Sequence, residues 1–228
     1  MQKTIRSAIS YLFKCLTVIF SLGGVLLSFL TAKQEGYFPW YTRIFYFTAQ
    51  SNIWIGLTFL TILIINFFFP NARRFKDKVY FFKFVFTASI TITALVFFCF
   101  LAPFADESYH VWSLSSFMTH LFAPVLAISD FFIDDYPFYL NKRQRFMAVV
   151  PSCIWVFITS ALCLNGFDFG RGVNYPYFFF DFFAPIGLFG FSNKLPIMGC
   201  AYWIVGIGLS IFLFGLLYAK LKAVQRRK

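Results

Sequence analysis

IFYFTAQSNIWIGLTFLTILIINFFF, residues 44–69, contains no Asp, Glu, Lys, Arg or His. A helix rising about 1.5 Å per residue crosses the hydrocarbon of a bilayer in ~20 residues, so this stretch is long enough to span it. It lacks the apolar-polar alternation of a membrane barrel strand, which leaves the helix as the spanning form. Near its start stands a polar word, Tyr46-Phe47-Thr48-Ala49-Gln50-Ser51-Asn52. Hydrocarbon cannot satisfy an amide or hydroxyl, and leaving one unpaired there is costly, so these side chains must face protein or a wet cavity.

Five further runs of the same kind extend the reading to the whole chain. With 60% hydrophobic residues, 13% charged and a mean hydropathy of +0.72, the 228 residues describe a polytopic all-α membrane protein. Spans are expected near residues 7–31, 44–69, 80–103, 112–134, 147–165 and 196–218, forming one six-span domain across residues 1–228. The first run of about 25 residues exceeds the 7–15 of a signal-peptide core, and is read as a retained helix.

The net charge of +11 follows from topology. Fifteen of the 20 Lys and Arg fall in the amino-terminal segment, the 70–83 and 135–145 connections and the carboxy-terminal tail, on one side of a six-span arrangement. By the positive-inside rule both termini are cytoplasmic, and no nucleic-acid partner is implied. The expected location is an integral position in a bacterial plasma membrane. Five cysteines lie in or near spans without paired spacing and read as small core residues. No metal-ligand spacing, phosphate-cradling loop or dinucleotide fingerprint is present, so no metal and no cofactor is expected.

The connections opposite the basic side are aromatic. Residues 166–195 contain Tyr175-Pro176-Tyr177-Phe178-Phe179-Phe180-Asp181 and no clean spanning run. Interfacial rings account for much of this, and the segment's length and Asp181 suggest a half-buried lid over a lipid entrance. His110, next to Asp106 and Glu107, reads as a solvated surface residue.

The chemistry concentrates in two words. Thr48, Ser51 and Asn52 share one helical face, while in the fourth run Ser116, His120 and Ala123 form a stripe that Pro124 interrupts, inviting a kink. Counted from the start of each span, Thr48 is ~8 Å deep and His120 ~12 Å deep, so the two can share one site. Histidine is suited to take a proton from a threonine hydroxyl near neutral pH, with Gln50, Ser51, Asn52 or Ser116 as oxyanion or positioning groups. Asp130 lies ~15 Å further along the helix and about 80° around it, out of reach of His120. It is expected to meet a partner such as Lys14 or to cap the helix with Asp134 and Asp135. Three functions stay open on the residues: an acyl-ester hydrolase, a proton-coupled transporter or channel relaying through His120 and Asp130, and a non-enzymatic lipid-binding protein.

Phe47-Thr48 at the start of the second span, His120 followed by Pro124 and the acid Asp130, and Tyr175-Pro176-Tyr177-Phe178 before the last span together resemble a known family. This is the androgen-induced protein and androgen-dependent tissue-factor-pathway-inhibitor-regulating protein family, over residues 40 to 185. The proline spacing and the Gln50-Ser51-Asn52 word are similar to its bacterial relatives. The resemblance implies a threonine-dependent membrane hydrolase of fatty acid esters of hydroxy fatty acids, with Thr48 as nucleophile and His120 as base. It leaves Asp130, Tyr175 and Asp181 as supporting or substrate-gating groups, and implies a lipid or fatty-acyl substrate drawn from the bilayer. Protein partners are not readable.

Overall fold

The computed structural model describes residues 2–105, 111–137, 139–195 and 197–225. The expectation for His110, Asp106 and Glu107 lies outside the described residues.

Six helices long and apolar enough to cross a membrane make up an all-α bundle: Thr4–Gln34, Phe47–Phe68, Arg73–Phe104, Leu114–Ile133, Lys142–Leu164 and Cys200–Ala223. They are the first to sixth spans below. The chain is an integral membrane protein by this architecture. Its packing is inside-out relative to a water-soluble bundle: large apolar side chains such as Leu26, Phe67, Phe157 and Val205 face outward, whereas Thr17, Ser21, Ser51, Asn52, Thr87 and Ser89 are fully buried. Small residues allow this close approach. A side chain at Gly56 would run into Ser21 and Leu22, and one at Gly24 into Met118 and Thr119, which brings the first span against the second and fourth.

The third span is the hub, with 61% of its apolar window buried against 22–44% for the others. It starts at Arg73, seven residues before the expected position, because the basic stretch 73–79 is helical. One consequence is that Lys83 is not in a solvated connection but inside the bundle. Lys83 Nζ lies 2.7 Å from Asp134 Oδ2 and 2.5 Å from Asp130 Oδ2, while Lys14 Nζ lies 2.9 Å from Asp130 Oδ1 and 2.8 Å from Asp134 Oδ2. Ser10 Oγ donates to Asp130 Oδ1, and Lys222 donates to the carbonyls of Phe131 and Asp134. Two ammonium groups and two carboxylates from the first, third and fourth spans thus neutralise each other near the chain termini.

At the opposite end, Trp40–Phe45 forms a short 3₁₀ helix ahead of the second span. Among the described residues, the connection between the fifth and sixth spans contains one 3₁₀ turn, Phe178–Phe180, and an isolated antiparallel bridge between Phe191 and Met198. The turn divides the aromatic segment in two. Phe169, Phe179 and Phe180 are buried among Phe47, Trp155 and Trp203, whereas Phe183, Phe189 and Phe191 are exposed.

Candidate active site

Two local backbone features position the polar words. The second span begins at Phe47 after the extended backbone of Tyr46, so Thr48 stands in the first turn, where helix N–H groups lack internal acceptors. The Thr48 N–H donates to the Tyr177 hydroxyl at 3.2 Å. In the fourth span Pro124 has no N–H for the carbonyl four residues earlier, that of His120. The helix widens to a π-helix over Phe117–Phe122, in which the Ala123 N–H bonds the Met118 carbonyl. Pro103 follows a second such segment, Phe97–Leu101, in the third span. The two widened turns face each other, and the Phe97 ring stacks on the His120 imidazole with 3.8 Å between centroids.

Thr48 Oγ1 and His120 Nε2 are 3.2 Å apart. The other ring nitrogen fixes which one carries the proton. Nδ1 lies 3.1 Å from the Ser116 carbonyl, which can only accept, and 3.2 Å from Thr119 Oγ1, whose own proton goes to the Ser115 carbonyl. Nδ1 therefore donates, and neutral His120 turns an unprotonated Nε2 toward the Thr48 hydroxyl. That is the arrangement a general base requires. The Tyr177 hydroxyl completes the cluster 3.3 Å from Thr48 Oγ1.

The neighbours named from the sequence divide differently. Gln50 lines neither of the two cavities below, because two residues along a helix turn it about 200° from Thr48. Ser51 is fully buried against the third span, 2.7 Å from Thr93 Oγ1, and Asn52 spends its amide protons on the carbonyls of Thr48 and Thr119. Ser51 and Asn52 are not placed as oxyanion donors, since their hydrogen bonds run to helix contacts. Asn52 instead ties the second span to the fourth, one turn below the Thr48–His120 pair. Ser116 orients His120 through its main-chain carbonyl, and its residue borders the site. Tyr175 lines the polar cavity. Asp181 does not gate it: its carboxylate accepts from the Phe183 N–H and shapes a turn. Asp130 sits in the ionic cluster, separated from His120 by the buried apolar layer of Ile55, Phe59, Ile90 and Ala127.

Thr48 lies where two cavities of opposite character meet. A polar vestibule of about 480 Å³ includes Glu35, Arg43, Tyr46, Ser116, His120 and Arg171 in its wall. An apolar slot of about 340 Å³ continues between the third, fifth and sixth spans, past Trp155, Phe180, Val156, Ile207 and Gly208. Thr48 and Tyr177 border both. Cys153 and Phe157 line the slot and are exposed on the outside of the bundle, so the slot reaches the lateral surface along the fifth span.

Outside the spans, burial pushes the Tyr46 phenol far above its ordinary value, and the adjacent Tyr37 pushes the same way. Burial also raises Tyr175, with Asp181 adding to the effect. Both phenols stay protonated and act as neutral hydrogen-bonding groups.

Sequence reasoning missed Tyr177 as a direct partner of Thr48, although it lies in the aromatic segment already singled out. It also missed Lys83, which nothing but the helical reading of 73–83 would have turned inward. Comparisons with protein-family profiles, curated proteins and solved structures gave no match.

Proposed function

We propose that the chain is a membrane-embedded acyl-ester hydrolase with Thr48 as nucleophile and His120 as general base. The observation that carries this reading is the Thr48–His120 contact at the junction of a polar and an apolar cavity. An amphiphile laid through that junction has its chain in the slot, its polar part in the vestibule and its ester at the threonine hydroxyl.

In the reaction, Oγ1 attacks the ester carbonyl carbon while its proton passes to Nε2. The tetrahedral intermediate collapses as Nε2–H protonates the leaving alkoxide, giving an acyl-threonine and a free alcohol. Water, deprotonated by the same nitrogen, then releases the fatty acid. The neutral Ser116 carbonyl holds the ring in position through Nδ1–H, a place other hydrolases fill with a carboxylate. Developing negative charge on the carbonyl oxygen is met by the Tyr177 O–H and by the Ala49 N–H in the first helical turn.

The family resemblance in the sequence agrees with this assignment and extends it to fatty acid esters of hydroxy fatty acids in a bacterial plasma membrane, and the distribution of Lys and Arg supports cytoplasmic termini. A proton relay between His120 and Asp130 gains less support, because the intervening layer is apolar. Mass spectrometry of co-purified lipid before and after incubation distinguishes cleavage from binding alone. The decisive test is labelling with a fluorophosphonate probe. Thr48→Ala and His120→Ala are expected to abolish labelling while thermal melting stays cooperative; retained labelling of Thr48→Ala overturns the assignment.

A further inference from the structure

Above the Thr48–His120 pair, the vestibule holds an arrangement that the hydrolytic chemistry does not use. The Arg43 and Arg171 guanidinium groups both lie over the Tyr37 ring, 4.8 and 5.0 Å from its centroid. Among the described residues neither is in an ion pair, both line the vestibule, and Glu35 is the single acidic residue in its wall.

The backbone is strained to hold Arg171 there. Its φ is 58°, the left-handed region that is unfavourable for a residue with a Cβ. Asp168 fixes the turn by accepting from the N–H groups of Gly170 and Gly172, and the Arg171 N–H donates to the Phe38 carbonyl. Tyr37 donates to the Phe169 carbonyl, and a side chain at Gly170 would overlap the Tyr37 ring. An arginine placed merely to reach the membrane surface needs no such clasp, since its long side chain can do so from ordinary backbone. Gathering two like charges over one ring is explained by a ligand that neutralises them.

We propose that Arg43 and Arg171 form an anion subsite that selects amphiphiles bearing a carboxylate or phosphate at the polar end. Guanidinium groups match the paired oxygens of either anion, and contact with the Tyr37 ring restricts the motion of each. The subsite rests on the hydrolase reading for its purpose, since it places the charged end of a substrate whose ester lies at Thr48. A tyrosine path joins the two: the Tyr37 and Tyr46 hydroxyls are 3.0 Å apart, and the Tyr46 ring packs edge-on against Tyr177.

The test uses the full chain in a sugar-headgroup detergent, which supplies no competing anion. Native mass spectrometry of the Thr48→Ala protein compares dodecyl phosphate, dodecanoate and dodecanol. Both anions are expected to bind at least about ten-fold more tightly than the alcohol, and their relative affinity separates phosphate from carboxylate as the source. The preference is expected to collapse in Arg43→Gln and in Arg171→Gln, and to return in part in Arg43→Lys. The Arg43 side chain makes none of the backbone contacts that hold the strained turn, so Arg43→Gln carries the test alone if Arg171→Gln fails to fold. Equal binding of all three probes, or a preference that survives Arg43→Gln, overturns the subsite. Hydrolysis of an uncharged ester by the unsubstituted protein is measured separately, so absence of catalysis refutes the hydrolase without touching the binding result.

Discussion

His120 has one nitrogen to offer, and the acceptors around Nδ1 decide that it is the one facing Thr48. The proton-accepting side of this pair is therefore set by the Ser116 carbonyl and Thr119, not by Thr48 itself. Tyr177 has a different role, because its hydroxyl accepts the Thr48 N–H and lies beside Oγ1. Replacing it by phenylalanine keeps the ring packing and removes the hydroxyl. Tyr177→Phe is expected to lower kcat by about 10²–10³-fold with KM little changed, as for loss of one oxyanion donor, checked by steady-state hydrolysis of a fluorogenic ester. Thr48 and His120 were legible as a pair because both are polar, rare in their surroundings and similar in depth. Tyr177 was hidden among twelve tyrosines, its position set by a loop with no periodicity to read.

At the level of the helix, Pro124 matters through the turn before it. Its missing N–H accommodates the π-helix Phe117–Phe122, and that extra residue sets the rotation of His120. Pro124→Ala allows an ordinary α-helical turn to close and swings the imidazole away. At least a ten-fold loss of hydrolysis is expected without a fall in Tm, read by pairing an activity assay with a thermal melt. The sequence announced an interruption at Pro124 but not its form, because a kink and a widened turn both answer a missing donor. On the sixth span, Gly208 borders the apolar slot and a side chain there meets no atom within 4 Å. Gly208→Leu is expected to shorten the slot and shift preference toward shorter acyl chains by about ten-fold, a methylene in such a pocket being worth ~1–3 kcal/mol. Competition between esters of graded length measures it.

Across the whole molecule, the ionic cluster joins three spans at the end remote from Thr48. Six spans and their approximate limits could be read from hydropathy, because the bilayer demands that pattern of every helix. The Lys14–Asp130 half of the cluster was legible too; Lys83 and Asp134 were not, since the hydropathy pattern sets them at the edges of the expected spans, where charge is ordinarily solvated, and only packing turns them inward. Asp130→Asn leaves Lys14 and Lys83 sharing one carboxylate and is expected to destabilise the bundle by about 3–5 kcal/mol, seen as a lowered Tm. Replacing Lys14 by Met together with Asp130→Leu is expected to recover much of that loss, because no charge is then stranded. The same four charges bear on how the chain is made. Lys14 and Lys83 emerge during synthesis before either aspartate, so the first and third spans enter the lipid each with a cation awaiting its counter-charge. The fourth helix and its cap supply both carboxylates, so the cations of the first and third spans gain their counter-charges from one short stretch of chain.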